Sequence, residues 1–281
     1  CWGPEGGFPD PMEPLWWKLP LLLALVVGAL CPLAGTLLLV QRRLFLANLV
    51  SHAVLPGLAL AVALHLDPGL GGLVSGVAGA LLAERLSRQE RPGEGGDEAV
   101  INTVLAGFLG LGVLLIPLLG IRVNLEAVLF GDLLAAAPLD LWRSLVALLA
   151  MLLLLGLRYR QYVYLGVDPL GAASAGLPVR RLRLLLTGVT ALTVVSAMTA
   201  VGVVLVIALM GAPALVALAG AGSLRQALQR AALIGMALAG AGFALALQPA
   251  INLPPGPLIG VLCLGLLPLA AWRQQAGRSG G

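Results

Sequence analysis

A chain of 281 residues that is 59% hydrophobic and 11% charged, with a mean hydropathy of +1.00, argues against a water-soluble enzyme, because soluble domains carry roughly 25% charged residues. The formal net charge of +4 rests almost wholly on arginine, and with Lys18 as the single lysine the G-x-x-x-x-G-K-[ST] phosphate loop cannot exist. Any ATP that drives the protein must bind another polypeptide, and apolar runs of about 20 residues without period-2 alternation predict an all-α, polytopic membrane bundle instead of an outer-membrane barrel.

The chain opens on "CWGPEGGFPDP", rich in Gly and Pro, so residues 1–14 are expected to be a flexible extension, with Met12 as a candidate start. No cleavable signal peptide is expected, because the first apolar run leads straight into membrane structure. Spans are predicted at about 19–40, 44–64, 68–86, 98–119, 139–157, 182–198, 201–221, 231–248 and 256–272. Together they form a transmembrane domain of eight to nine helices over 15–273, followed by a tail at 274–281. Segment 182–221 reads either as a hairpin or as one span with a re-entrant piece, and 121–138 as a stretch along the outer interface.

Divided at these spans, fourteen arginines from Arg42 to Arg278 fall on one side, and only Lys18, Arg122 and Arg143 on the other. The positive-inside rule then predicts an inner (plasma) membrane protein with the N-terminus outside and the C-terminus in the cytoplasm. Two cytoplasmic loops exceed a turn. The first, "RQERPGEGGDE" (88–98), reads as a solvated linker, with Asp97 and Glu98 complementing the dipole of the fourth helix.

The second loop spans 158–183. Asp168-Pro169 is a helix-start signal, small residues including Ala172 and Ala173 follow, and Gly176 with Pro178 is a helix stop. A helix of about two turns is therefore expected between two spans. One reading is a helix lying on the lipid headgroups; the other is a docking surface for a second protein. The small residues, where a membrane-surface helix would show Trp, Phe or Leu, suit close docking.

"LANLVSHAVLPG" (46–57) places His52 about ten residues into the second helix, roughly 15 Å deep and near the middle of a 30 Å core. Asn48 shares its helical face, four residues earlier. Ser51 is adjacent, and Pro56, followed by Gly57, is read as a helix break that leaves the His52 carbonyl without its amide donor. Imidazole suits transition metals and carbonyl oxygen suits Mn²⁺. The alternative is a hydrogen bond across two helices, but intramembrane ionisable groups usually mark a substrate path.

His65 beside Asp67 at the outer end of this helix needs no special role. Thr187, Thr190, Thr193, Ser196 and Thr199, with Gly202, Gly211 and Pro213, suit close helix packing, and Gly211–Pro213 is also a candidate hinge. Cys1, Cys31 and Cys263 show no metal-ligand spacing. Neither H-E-x-x-H nor G-x-S-x-G occurs, and two histidines cannot build a multi-histidine catalytic site unless subunits share it.

Taken in order, "QRRLFLANLVSHAVLPGLALA", "DEAVINTVLAGFLGLGVLL", "VDPLGAASAGLPVRRL", "AVGVVLVIALMGAPALVA" and "NLPPGPLIGVL" resemble the membrane permeases of zinc- and manganese-type ATP-binding cassette importers over residues 15–272. The resemblance implies a homodimer of permeases in lipid, two cytoplasmic ATPase subunits and an external metal-binding protein. It implies no nucleic acid, no catalytic residue and no permanently bound cofactor, only a transported divalent metal. Ser51 and His52 match the Ser-His of the family's Gly-Asp-x-x-Ser-His-Ala-x-x-Pro-Gly pore pattern, and Asp168, Pro169, Ala172, Ala173, Gly176 and Pro178 fall in its ATPase-coupling segment. Two departures stand out: the family's aspartate falls on Asn48, and Leu-Pro-Thr-Gly-Ala becomes Leu253-Pro254-Pro255-Gly256-Pro257. Competing readings are a permease for iron chelates or cobalamin, with a wider path, and a stand-alone ion-coupled transporter, which usually shows an intramembrane carboxylate and an internal repeat.

Overall fold

After Lys18 the first helix is wholly apolar or small apart from Thr36, whose hydroxyl donates to the Pro32 carbonyl at 2.7 Å and so needs no other partner. The computed structural model describes residues 17–87, 96–120, 131, 133–248 and 254–268. The extension 1–14, most of the linker 88–98, most of 121–138 and the tail 274–281 lie outside the described residues. Among the described residues ten α-helices follow in chain order: α1 Lys18–Val40, α2 Phe45–Ala63, α3 Pro68–Ser87, α4 Gly96–Leu118, α5 Pro138–Val167, α6 Pro169–Ser174, α7 Val179–Val201, α8 Val203–Ala219, α9 Leu224–Ala246 and α10 Pro255–Gly265. No strand occurs among the described residues.

Seven of these helices are long and apolar enough to cross a membrane: α1 to α5, α7 and α9. The other two expected spans, α8 and α10, are helical but have 17 and 11 residues. At 1.5 Å per residue they reach about 25 and 16 Å, short of a 30 Å core.

The packing divides the helices into two groups. α2 lies against α3 and α4; α1 lies against α5, α8 and α9; and α7 touches α1, α2, α3, α5 and α8. α1, α2 and α7 are accordingly the most buried, whereas α4 and α5 leave most of their apolar surface open. Apolar surface of that kind is stable only against lipid or a partner helix.

Two boundaries differ from the sequence expectation. α5 does not stop at 157 but continues through "RYRQYVYLGV", because Tyr162 and Leu165, three residues apart, bury one stripe of the continuation. It ends at Asp168, the residue before Pro169, where proline disfavours helical backbone. The candidate hinge at Gly211–Pro213 lies inside a continuous helix, since α8 runs through both residues. The break falls instead at Gly202, with φ 81° and ψ 159°, a conformation open essentially to glycine alone.

Helix α2 is likewise continuous through Pro56 and Gly57, so these residues do not break it. Gly57 serves packing: a Cβ there would stand 2.1 Å from the Gly71 carbonyl oxygen and 2.4 Å from Ser75 Cβ. Gly57→Ala is therefore expected to push α2 and α3 apart and cost about 1–3 kcal/mol. Thermal denaturation in detergent checks this, and an unchanged melting temperature would refute the contact.

Candidate metal path and docking segment

α1 and α2 are joined by a turn in which Arg42 takes φ 55° and stays exposed while Arg43 folds inward. Arg43 makes an ion pair with Glu84 of α3, and Glu84 is almost fully buried. Leaving either charge alone there would be strongly destabilising. The pair thus fixes the start of α2 against the arginine-rich end of α3. It was missed in the sequence, although Glu84 is the only acid in the apolar run 68–86 and lies beside an arginine-rich end.

Two turns further on, Asn48 and His52 are both partly buried and one helical turn apart, so they share a face that reaches the subunit surface. His52 is two residues from the midpoint of α2, or about 3 Å along its axis. Ser51 does not join them. It is fully buried, and its hydroxyl donates to the Ala47 carbonyl at 2.8 Å within its own helix. Pro56 cannot give an amide hydrogen to the His52 carbonyl. The next carbonyl, that of Ala53, accepts from the Ser75 hydroxyl of α3 at 2.6 Å.

Asn48 and His52 thus present one amide oxygen and one imidazole. Among the described residues no three His, Cys, Asp or Glu side chains are grouped to hold a metal ion. A cation held at this face would take its remaining ligands from amide, carbonyl or water oxygens, or from a second copy.

At the opposite end of α2, His65 is an exposed turn residue with φ 56°. Asp67 caps α3 by accepting from the Leu70 amide at 3.0 Å, and Arg143 of α5 donates to its other oxygen at 2.5 Å. The Leu70 hydrogen bond, helped by Arg143, holds the Asp67 carboxyl below its ordinary range. Its small contribution is present at neutral pH and disappears only as pH falls through that lowered value.

Asp168, in extended conformation, accepts from the Gly171 amide at 2.8 Å and starts α6, with Pro169 at its first position. Gly176, at φ 78°, ends the turn, and the Leu177 amide closes back on the Ala172 carbonyl at 3.1 Å. α6 has six residues, shorter than the two turns expected. Ala172 is fully buried inside the subunit and so cannot meet a partner, whereas Ala173, Ser174, Ala175 and Gly176 are exposed. Sequence reasoning overlooked Val167 and Leu170, 80% and 81% exposed, which are the most exposed large apolar side chains among the described residues. They stand beyond the apolar part of α5, where exposed apolar surface marks a contact with another protein or with the membrane surface. Of the buried hydroxyls of α7, that of Thr193 donates to the Val189 carbonyl of its own helix and that of Thr190 has no partner among the described residues, while Ser144 of α5 donates to the Ser196 carbonyl.

A family model described as the ABC 3 transport family matches residues 18–274. A membrane protein of uncharacterised role from Cyanophora paradoxa is 31% identical over 251 residues, covering 89% of this chain and 82% of the relative. The manganese transport system membrane protein MntC of Halalkalibacterium halodurans is 32% identical over 179 residues, covering 63% of this chain and 60% of that protein. Among solved structures, a chain of PsaBC from Streptococcus pneumoniae in complex with Fab superposes with a TM-score of 0.82 at 25% identity, covering 96% of this chain and 98% of that one.

Proposed function

The chain belongs to the ABC 3 transport family, and on that premise we propose that it is the membrane-spanning permease subunit of an ATP-driven importer of a divalent metal ion, manganese or zinc. The observation that carries the reading is the Asn48–His52 pair, partly buried near the middle of α2 on a face that reaches the subunit surface. A second copy laid against this face would double the imidazole and amide ligands and enclose a path between two subunits. Such a dimer, in which the shorter α8 and α10 enter the membrane beside the seven long helices, would supply the ligands that the described residues of one chain do not group. The arginine-rich end faces the cytoplasm, and two ATPase subunits dock there. An external binding protein delivers the ion to the opposite face.

The relatives named for manganese favour that ion, while the neutral Asn48 and the imidazole favour a softer one. A path for iron chelates or cobalamin would need more room than one helical turn of small polar groups. The purified chain alone is expected to hydrolyse no ATP, because its single lysine precludes a phosphate loop. Cells lacking the chain and re-expressing it should regain uptake of ⁵⁴Mn²⁺ or ⁶⁵Zn²⁺, with one ion outcompeting the other. Uptake of neither, or ATPase activity from the pure chain, would overturn the proposal.

A further inference from the structure

α5 runs on as a helix through Arg158, Tyr159, Arg160 and Gln161, beyond its apolar stretch, where an unsupported end would fray. It does not stand free. Tyr162 and Leu165 are buried, and Gly166 lies directly against Val40 at the end of α1. The Tyr162 hydroxyl, itself buried, donates to the main-chain carbonyl of Leu182 in the first turn of α7 at 2.9 Å. That bond joins residues 20 apart in sequence and ties the two arms of the loop at its neck. Everything that projects beyond the tie, from Val167 to Pro178, is the docking segment.

A phenylalanine ring would fill the same space as Tyr162. Only the hydroxyl sets a distance and a direction to a backbone carbonyl, and in a buried setting that constraint is strong. The consequence lies further along α7, which packs against α2, the helix that carries Asn48 and His52. A contiguous set of packed elements therefore runs from α6 through the tied neck and α7 to the metal-facing helix.

We propose that Tyr162 is a positioning residue that makes the docking segment move as one body with α5 and α7, so that displacement of α6 by an ATPase subunit reaches α2 and is not absorbed in the loop. This rests on the reading of residues 167–178 as the ATPase docking segment. The test compares wild-type and Tyr162→Phe permeases, each co-expressed with the ATPase subunit, reconstituted into lipid vesicles and supplied with the Mn²⁺-loaded external binding protein, with Mn²⁺ uptake and ATP hydrolysis measured in the same sample. The variant is expected to co-purify with the ATPase subunit as before, while ATP consumed per Mn²⁺ rises about five-fold or more. Replacing Tyr162 by 4-aminophenylalanine, which keeps a donor on the ring, should restore the ratio. An unchanged ratio in Tyr162→Phe, even with a lower melting temperature, overturns the proposal and leaves the residue a packing role. Failure of the amino analogue to restore the ratio, or loss of ATPase co-purification in Tyr162→Phe, overturns it too. If the wild-type chain itself brings down no ATPase subunit, the docking reading fails first and this inference with it.

Discussion

Replacing His52 by alanine is expected to abolish metal uptake while leaving the permease folded. The side chain is only partly buried, and its loss opens no closed cavity, so the stability cost should stay within about 1 kcal/mol. The effect on transport is larger because nothing nearby replaces the imidazole: Ser51 is turned inward and bonded to Ala47, leaving the Asn48 amide as the other polar side chain of the shared face. Losing even a supporting group around a metal ligand typically costs 10- to 100-fold, so losing the ligand should cost at least about 100-fold. Asn48→Asp provides the complementary test. It restores the carboxylate of the resembled family, and hard Mn²⁺ gains more from carboxylate oxygen than Zn²⁺ does. Uptake of both ions, side by side and at matched expression, should show the variant shifted toward manganese or slowed by tighter binding. Normal uptake by His52→Ala would make the histidine a packing residue and leave the metal assignment to family membership alone.

Much of the architecture was legible because apolar length and arginine position are local signals. Each predicted span contains a helix, seven of them long enough to cross a membrane, and Asp168-Pro169 and Gly176 bound α6 as their capping chemistry requires. The Asn48–His52 face was legible for the same reason, since i and i+4 on one helix need no tertiary information. What failed depended on neighbours. Gly57 looked like part of a helix break, but its role is set by the Gly71 backbone pressed against it. Ser51 looked like a pore residue, yet a buried serine in a helix satisfies itself on the carbonyl four residues back. The continuation of α5 rests on Tyr162 meeting Leu182, twenty residues away, while the Arg43–Glu84 pair joins residues forty-one apart. Gly202 and Gly211 are equally glycine on paper; only the chain path decides which carries a positive φ.

The neighbouring residues Ala172 and Ala173 should respond differently to the same substitution. Ala172 is fully buried against its own subunit, so Ala172→Glu would place an unpaired charge in the packed base of α6 and reduce the yield of folded permease. Ala173 is exposed beside Leu170, whose side chain projects into solvent where an ATPase groove would receive it. Ala173→Glu should therefore leave the permease inserted and thermally stable, because none of the described residues covers that side of the helix. At an interface the same charge would be buried without a partner. That costs about 2–5 kcal/mol, which is roughly 30-fold or more in ATPase affinity. Leu170→Asp should do the same by replacing the apolar anchor with a charge. The measurement is co-purification of the ATPase subunit with each variant, together with metal uptake in cells at matched permease levels. Loss of both in Ala173→Glu and Leu170→Asp, with a normal melting temperature, supports docking through this face. Normal uptake in both variants would instead assign α6 to the lipid headgroups, and the partner contact would have to be sought elsewhere on the arginine-rich end.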